Sequence, residues 1–283
     1  LSLSLLSPVP NGILNGLQRY TTLTVISFIS ALIKLGLGVL FVVMGYGVFG
    51  AVIGLTLAQL IGLCLPFLFL LALFSVKKEA VSKMDLFHYT LPVFLVLTLM
   101  HLFVNVDVLF VKHYFSAEEA GNYVAASMIG KAILFSTSAL LMTMFPKVSF
   151  SHEQLRDSSK ILKATLFYTL IIVGTAVILY FAIPTFLSKM LFGGSYAIAP
   201  YLGMFGLAIG LFSVSNVFVT YQLALNQTQF VYLLIPLLFL EVIGFLLFHS
   251  TLLEMIQVVL VVNVFIFAYL SFISRKAFNV NVL

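Results

Sequence analysis

The sequence predicts an all-helical integral membrane protein, and its composition and its pattern both point to this class. Of its 283 residues, 62% are hydrophobic and 8% are charged, whereas an average soluble domain has roughly 25% charged residues. Apolar runs of about 20 residues, the length that a helix needs to cross a bilayer, recur along the whole chain. Segments of about ten residues that alternate apolar and polar side chains, which a transmembrane barrel would require, do not recur.

The polar breaks of the sequence delimit eight complete spans. They follow an incomplete span, Leu1 to Leu17. Because the first residue is not Met and no basic stretch precedes the apolar run, we interpret the chain as a fragment that lacks its N-terminal portion. The complete spans are Thr21 to Met44, Phe49 to Phe74, Thr90 to Val111, Ala120 to Phe145, Ile161 to Leu187, Tyr201 to Leu225, Phe230 to Phe248 and Leu252 to Ile273.

Lysine and arginine residues set the predicted orientation, because short cytoplasmic loops collect them. Alternate numbering of the connections places ten basic residues on one side and two, Lys112 and Lys189, on the other. We therefore expect a multi-pass protein of the plasma membrane whose C-terminus is cytoplasmic. The ten residues lie in short loops, so they favour anionic membrane lipids over nucleic acid as the partner. They are Arg19, Lys77, Lys78, Lys83, Lys147, Arg156, Lys160, Lys163, Arg275 and Lys276.

Polar side chains in the third and fourth spans are the main candidates for a binding site. A charge at mid-bilayer costs about 2.5 to 3.5 kcal/mol, so it must face protein or water. Lys131 lies at a depth of about 16 Å and shares one helical face with Ser127 and Ser138. His101 and Asn105 are four residues apart on one face of the third span. These five side chains are predicted to line a solvated cavity.

Three further charges lie within the predicted spans. Lys34, near the middle of the first complete span, is a second cationic candidate for the cavity. Asp107 and Glu241 are candidates for a gate or for a coupling-ion site, although each could instead pair with another helix. Lys131 and Asp107 differ by about 10 Å in depth, so their direct pairing is not assured.

Small residues, amides and prolines within the spans predict details of helix packing. Gly50 with Gly54, and Gly206 with Gly210, have the spacing of close helix contacts. The amides expected to form hydrogen bonds between helices are Gln59, Asn216 and Asn263. The prolines that are candidates for helix kinks are Pro66, Pro92, Pro184 and Pro236.

The sequence lacks the patterns of a catalytic, cofactor or metal site. The five histidines have no metal-ligand spacing, the lone Cys64 allows no disulfide framework, and no nucleotide-binding loop occurs. The one acidic doublet, Glu118 and Glu119, follows Ser116 at the spacing of a capping box. We therefore expect no enzymatic activity, no cofactor and no metal.

Two groups of short motifs occur in the first 150 residues. NGILNGLQRY, Asn11 to Tyr20, precedes a span that ends in GYGVFG, Gly45 to Gly50. NVDVLFVK, Asn105 to Lys112, is followed by EAGNY, Glu119 to Tyr123, and by FPK, Phe145 to Lys147. In order and spacing these stretches resemble the polysaccharide biosynthesis flippases of the multidrug/oligosaccharidyl-lipid/polysaccharide exporter superfamily. Beyond Lys163 the likeness is one of helix count and hydropathy.

The resemblance implies twelve helices in two six-helix lobes around a central cavity. Residues 1–84 would be the end of the N-terminal lobe and residues 85–283 the C-terminal lobe, with the missing N-terminal helices of the same protein as a partner. The implied function is to move lipid-linked oligosaccharide or polysaccharide repeat units from the cytoplasmic to the outer leaflet by alternating access. Lys131 and Lys34 would then offset the phosphate charge, while His101, Asn105 and the serines would bind sugar hydroxyls.

Three other functions stay open at this point. A cation-coupled drug or toxin extruder of the same superfamily would favour acidic cavity groups, and this chain has charges of both signs. A membrane-embedded lipid-linked glycosyltransferase is disfavoured, because the acidic doublet belongs to the predicted capping box. A scaffold without transport activity would leave Lys34 and Lys131 without a substrate.

Overall fold

The computed structural model describes residues 10, 12–14, 19–70, 83–193 and 196–279. All regular secondary structure in these residues is helical. A helix pairs its backbone N–H and C=O groups within one segment, so a chain with few polar side chains needs no other partners for its backbone in hydrocarbon. The chain divides into two compact units, Leu1–Ala80 and Val81–Leu283. The assignment of these units to the lobes of a twelve-helix protein stays a prediction.

The first unit contains a helical hairpin. Helix α1 (Tyr20–Phe41) packs against helix α2 (Gly47–Leu70), and the segment Val42–Tyr46 joins them through a wide π-type turn. Gly45 and Gly47 have φ angles of +92° and +53°. This left-handed backbone is open to glycine because glycine has no Cβ. The glycines at this point of the sequence thus end one apolar helix and allow the next to begin.

The second unit contains seven helices among the described residues. They are α3 (Lys83–Tyr114), α4 (Ala117–Glu153), α5 (Ser159–Ala182), α6 (Pro184–Phe192), α7 (Ala199–Ala224), α8 (Val231–Leu247) and α9 (Leu252–Asn279).

Helix α7 is the central element of the second unit. Of its 26 residues 17 are buried, and it packs against α4, α5 and α9. Gly206 and Gly210 face α5, where a Cβ built at Gly210 would lie 2.6 Å from Val173 Cγ1. Asn263 Nδ2 on α9 donates to the Ala208 carbonyl at 2.9 Å. The predicted close packing at these glycines and the predicted interhelical hydrogen bond of Asn263 are confirmed.

Within the described residues the predicted spans fall mainly on helices, with one division. Residues 71–74 of the second predicted span lie outside the described residues, and the count of eight spans stays a prediction. The predicted span Ile161 to Leu187 comprises α5, which ends at Ala182, and the start of α6 at Pro184. Proline has no N–H to donate and restricts the residue before it, so the helix ends at this point. Most of the predicted incomplete span, Leu1 to Leu17, lies outside the described residues.

Six helical stretches of the described residues are long and apolar enough to cross a membrane. The first, Thr21–Phe67, includes both α1 and α2, and α8 is a shorter apolar helix of 17 residues. Large apolar side chains cover much of the surface, with Phe49 81% exposed and Phe135 77% exposed. Such a surface suits a hydrocarbon environment.

Candidate functional site

Helices α3 and α4 bring a lysine and an amide together in the second unit. Lys131 Nζ donates to Asn105 Oδ1 at 3.3 Å. The Asn105 amide is itself oriented, because its Nδ2 donates to the His101 carbonyl at 2.8 Å, one turn earlier on α3. Lys131 is half-buried, while Asn105 and His101 are exposed. The cation thus lies at the edge of the packed unit, beside side chains that still have free polar surface.

The hydroxyl groups predicted to share the face of Lys131 lie in two different surroundings. Ser127, one turn before Lys131, is buried, and its Oγ finds no hydrogen-bond partner among the described residues. Ser138 is exposed, and its Oγ donates to the Phe135 carbonyl at 2.6 Å. This face of α4 is therefore enclosed by protein near Ser127 and open near Ser138.

Asp107 lies inside the second unit rather than at its surface. It is 3% exposed, and its Oδ2 accepts a hydrogen bond from the hydroxyl of Tyr123 at 2.9 Å. Tyr123 is fully buried and packs edge-on against the ring of Phe205 on the central helix. The hydrogen bonds of Lys131 and Asp107 go to an amide and to a phenol. The difference in membrane depth between the two residues stays a prediction.

Glu241 joins the same buried region from α8. It is 1% exposed, and α8 packs against α3. The rings of Phe110 on α3 and Phe245 on α8 have centroids 5.4 Å apart. Each ring lies about one turn beyond an acidic residue of its own helix, so the packing brings Asp107 and Glu241 to the same buried region although they are far apart in the chain. The sequence did not indicate that Asp107 and Glu241 share one location, because they lie on different predicted spans and were separate candidates.

Tyr123 belongs to this buried cluster through a contact that the sequence did not reveal. Its four-residue spacing from Ser127 puts it on the same face of the fourth span as that serine. The structure shows that it connects α4 to α3 through the Asp107 carboxylate. A buried tyrosine normally finds a partner for its hydroxyl group. The aspartate in the third predicted span was therefore the feature of the sequence that could have suggested this hydrogen bond.

Lys34 lies in a separate groove of the first unit. The groove has a volume of about 300 Å³ and lies between α1 and α2. Lys34 is exposed, and Gln59 of α2 faces the same groove. The remaining lining residues are small or apolar: Ile26, Ser27, Ser30, Ala31, Leu55, Ala58 and Gly62. A cation and an amide in a groove of small residues leave room for an anionic polar group.

The acidic doublet has the structural role that its spacing predicted. Ser116 Oγ accepts from the Glu119 amide at 3.3 Å, and Glu119 Oε2 accepts from the Ser116 amide at 3.1 Å. These bonds form a capping box at the start of α4. The described residues contain no group of three or more His, Cys, Asp or Glu side chains that could hold a metal ion.

Comparison with known proteins identifies the family. The family model described as polysaccharide biosynthesis protein matches residues 3–152, which is more than half of the chain. No curated protein and no solved structure shows a significant match. Members of this family are generally transporters rather than enzymes. The matched residues include the motifs in the first 150 residues on which the resemblance was based. The chain therefore belongs to the polysaccharide biosynthesis protein family, as a multi-pass membrane protein.

Proposed function

We propose that the protein is a flippase that carries lipid-linked oligosaccharide or polysaccharide repeat units from the cytoplasmic to the outer leaflet of the plasma membrane. Sugars and phosphates cannot cross hydrocarbon unaided, whereas a lipid tail can remain in it. The polar headgroup therefore needs a path lined by protein, and alternating access between two lobes would provide one. Membership of the polysaccharide biosynthesis family supports a substrate of this class.

The observation that carries the proposal is the half-buried Lys131 beside Asn105. A lysine at this depth is costly unless an anion or water faces it. Its hydrogen-bond partner is a neutral amide at 3.3 Å, so the other hydrogens of the ammonium group can still be donated to a phosphate. Exposed His101 and Asn105 offer further hydrogen-bonding groups on the same side, which suits the hydroxyls of a sugar. Lys34 in its groove is proposed as a second phosphate contact.

The proposed orientation is supported by the ends of the helices in the second unit. At one end, the rings of Tyr114 and His249 stack with their centroids 4.1 Å apart. This contact joins the end of α3 to the connection between α8 and α9, and both connections there are poor in basic residues. At another point, the hydroxyls of Ser158 and Tyr221 are 3.0 Å apart. This contact joins the basic connection after α4 to the end of α7. The positive-inside rule assigns the basic end, and with it the C-terminus, to the cytoplasm.

The function is tested with the full-length gene product in proteoliposomes. Lipid-linked oligosaccharide with a labelled sugar is loaded into both leaflets, and a lectin added outside reports the labelled headgroups that become accessible. We expect accessibility to rise with time in proteoliposomes and to stay constant in protein-free liposomes. Equal accessibility in both would overturn the proposal.

The role of Lys131 is tested in the same assay. Lys131→Ala should lower the rate of headgroup delivery about tenfold or more, because a hydrogen bond to a charged group contributes about 1.5 to 3 kcal/mol. Lys112→Ala, which removes an exposed lysine at the end of α3, is the matched control and should retain the rate. Unchanged delivery by Lys131→Ala, with normal membrane insertion, would refute the assigned role.

A cation-coupled drug extruder is the second candidate, and the acidic pair Asp107 and Glu241 favours it. Both acids are packed inside the unit, however, with exposures of 3% and 1%. A cationic drug would first have to separate α3 and α8. Uptake of a cationic dye by the same proteoliposomes, without headgroup delivery, would support this alternative over the flippase.

A further inference from the structure

Two buried carboxyl groups of the second unit are not used by the proposed substrate contacts. Asp107 on α3 and Glu241 on α8 lie on helices that pack together, and each is more than nine-tenths buried. The rings of Phe110 and Phe245, about one turn further along the two helices, have centroids 5.4 Å apart, which places the two carboxyl groups at a similar height in the unit. Two negative charges in such surroundings destabilise the packed state unless they are compensated.

The cluster has too few hydrogen-bond donors for its buried acceptor oxygens. The Tyr123 hydroxyl carries one hydrogen and gives it to Asp107 Oδ2 at 2.9 Å. Asp107 Oδ1 and Glu241 Oε2 are both buried and find no partner in the described part of the chain. A buried acceptor without a donor costs about 1 to 3 kcal/mol. One additional hydrogen on a carboxyl group would convert one of these acceptors into a donor.

The cluster also has one more negative than positive charge when both carboxyl groups are ionised. Lys131, whose Nζ donates to Asn105 two residues before Asp107 on α3, supplies the positive charge that can compensate one carboxylate. Two titratable side chains of α9, the helix that also packs against α8, form hydrogen bonds with other described residues. Glu254 accepts from the Ser250 amide at 3.0 Å, and Tyr269 donates to the Phe230 carbonyl at 3.3 Å. One negative charge therefore remains for a ligand to neutralise.

The cluster suits a proton better than a metal cation. A hard cation such as Ca²⁺ requires about six or more oxygen ligands, whereas the two orphaned oxygens are one on Asp107 and one on Glu241. A proton requires one carboxyl group to carry it and one acceptor to receive its hydrogen bond. Acidic residues within membrane proteins commonly serve in such proton pathways.

We propose that Glu241 is a proton-binding site, with Asp107 and Tyr123 as the groups that position it. In the packed state the Glu241 carboxylate takes one proton from water and becomes a neutral carboxylic acid, while Asp107 stays ionised opposite Lys131. When α3 and α8 separate and water enters, the proton returns to water. The site itself does not depend on the substrate, whereas its use in coupling transport to a proton gradient rests on the proposed function.

The proposal is tested by infrared spectroscopy of the full chain in liposomes at neutral pH. A neutral carboxylic acid has a carbonyl stretching band that an ionised carboxylate lacks. We expect such a band in the wild type and its loss in Glu241→Gln. Glu118→Gln, which removes an exposed carboxylate of α4, should retain the band. Absence of the band in the folded wild type, or its full retention in Glu241→Gln, would overturn the proposal.

Isotope labelling makes the test independent of the folding of a variant. Labelling the glutamate carboxyl carbons of the wild type with ¹³C should shift the band, whereas labelling the aspartate carboxyl carbons should not. A shift with aspartate labelling alone would show that Asp107 carries the proton and would overturn the assignment to Glu241. Loss of the band on adding Na⁺ at constant pH would show that a metal cation occupies the site. The band needs no sugar substrate, so failure of the flippase assay would leave this result unaffected.

Discussion

The contact between Tyr123 and Asp107 shows how one buried side chain depends on another. The carboxylate is 3% exposed and receives its hydrogen bond from a fully buried phenol. Lys131 and Asn105 form a second polar contact between the same two helices. These two contacts connect α3 to α4 through polar groups whose hydrogen bonds an apolar neighbour could not replace. The polar residues therefore specify which faces of the two helices meet.

We expect Tyr123→Phe to destabilise the protein. The substitution keeps the ring but leaves a buried carboxylate without its donor, which costs about 1 to 3 kcal/mol or more. Thermal unfolding in detergent, followed by circular dichroism, measures the loss. Tyr232→Phe removes a hydroxyl from a side chain that is 75% exposed and serves as the control with no expected change. Equal melting temperatures for the two variants would contradict the prediction.

A second residue-scale prediction concerns the polar connection between α4 and α5. The Ser159 hydroxyl and amide donate to Asp157 at 2.7 and 2.8 Å, and these bonds lower the pKa of Asp157 below its ordinary value. They also satisfy an amide in the first turn of α5. Asp157→Ala should therefore destabilise the protein by on the order of 1 kcal/mol at neutral pH.

The effect of Asp157 should depend on pH in one direction. A carboxyl group with a lowered pKa in the folded state contributes its full stability above the ordinary pKa of about 4, and loses it as the pH falls through the lower folded value. The difference in melting temperature between wild type and Asp157→Ala should thus be constant from pH 7 to about pH 5 and shrink below about pH 4. A difference that grew on acidification would contradict this account.

At the scale of the elements, glycines decide how closely helices approach. A Cβ built at Gly54 on α2 would lie 2.8 Å from backbone atoms of Leu37 and Gly38 on α1. Backbone cannot move aside as a flexible side chain can. The hairpin of the first unit therefore requires glycine at this position, as the spacing of Gly50 and Gly54 predicted.

We expect Gly54→Ala to destabilise the hairpin by about 1 to 3 kcal/mol, because the two helices must separate to admit the methyl group. Gly36→Ala is the matched control on α1, since a Cβ there meets nothing within 4 Å. That variant should be neutral or more stable by up to about 1 kcal/mol, because alanine has the higher helix propensity. Thermal unfolding of both variants distinguishes them, and equal losses would refute the packing argument.

At the scale of the whole molecule, the proposed topology can be tested by labelling. Replacing Cys64, the one cysteine of the sequence, by alanine gives a background for single cysteines. Glu118→Cys at the start of α4 should react with an impermeant maleimide in intact cells. Arg156→Cys after α4 should react after permeabilisation alone. Both sites are exposed in the structure, and labelling from the same side would contradict the topology.

Much of the helix arrangement could be predicted because insertion into a bilayer is decided locally. Each apolar run carries its own transfer free energy, so among the described residues the predicted spans fall mainly on helices whatever their neighbours are. The break before Pro184 divides one predicted span, although proline was a candidate for a kink there. The capping box of Ser116 and Glu119 was likewise predicted, since it involves residues three apart.

The sequence by itself determined the class of the protein, the approximate positions of its described helices, and the presence of charged residues within apolar stretches. Periodicity could also place Lys131 and Ser127 on one face of one helix. The tertiary structure alone decided that Asn105 accepts from Lys131 and that Tyr123 donates to Asp107. It also decided that the helix of Glu241 packs beside that aspartate. These partners belong to different helices, and their pairing follows from how the helices pack rather than from any spacing along the chain.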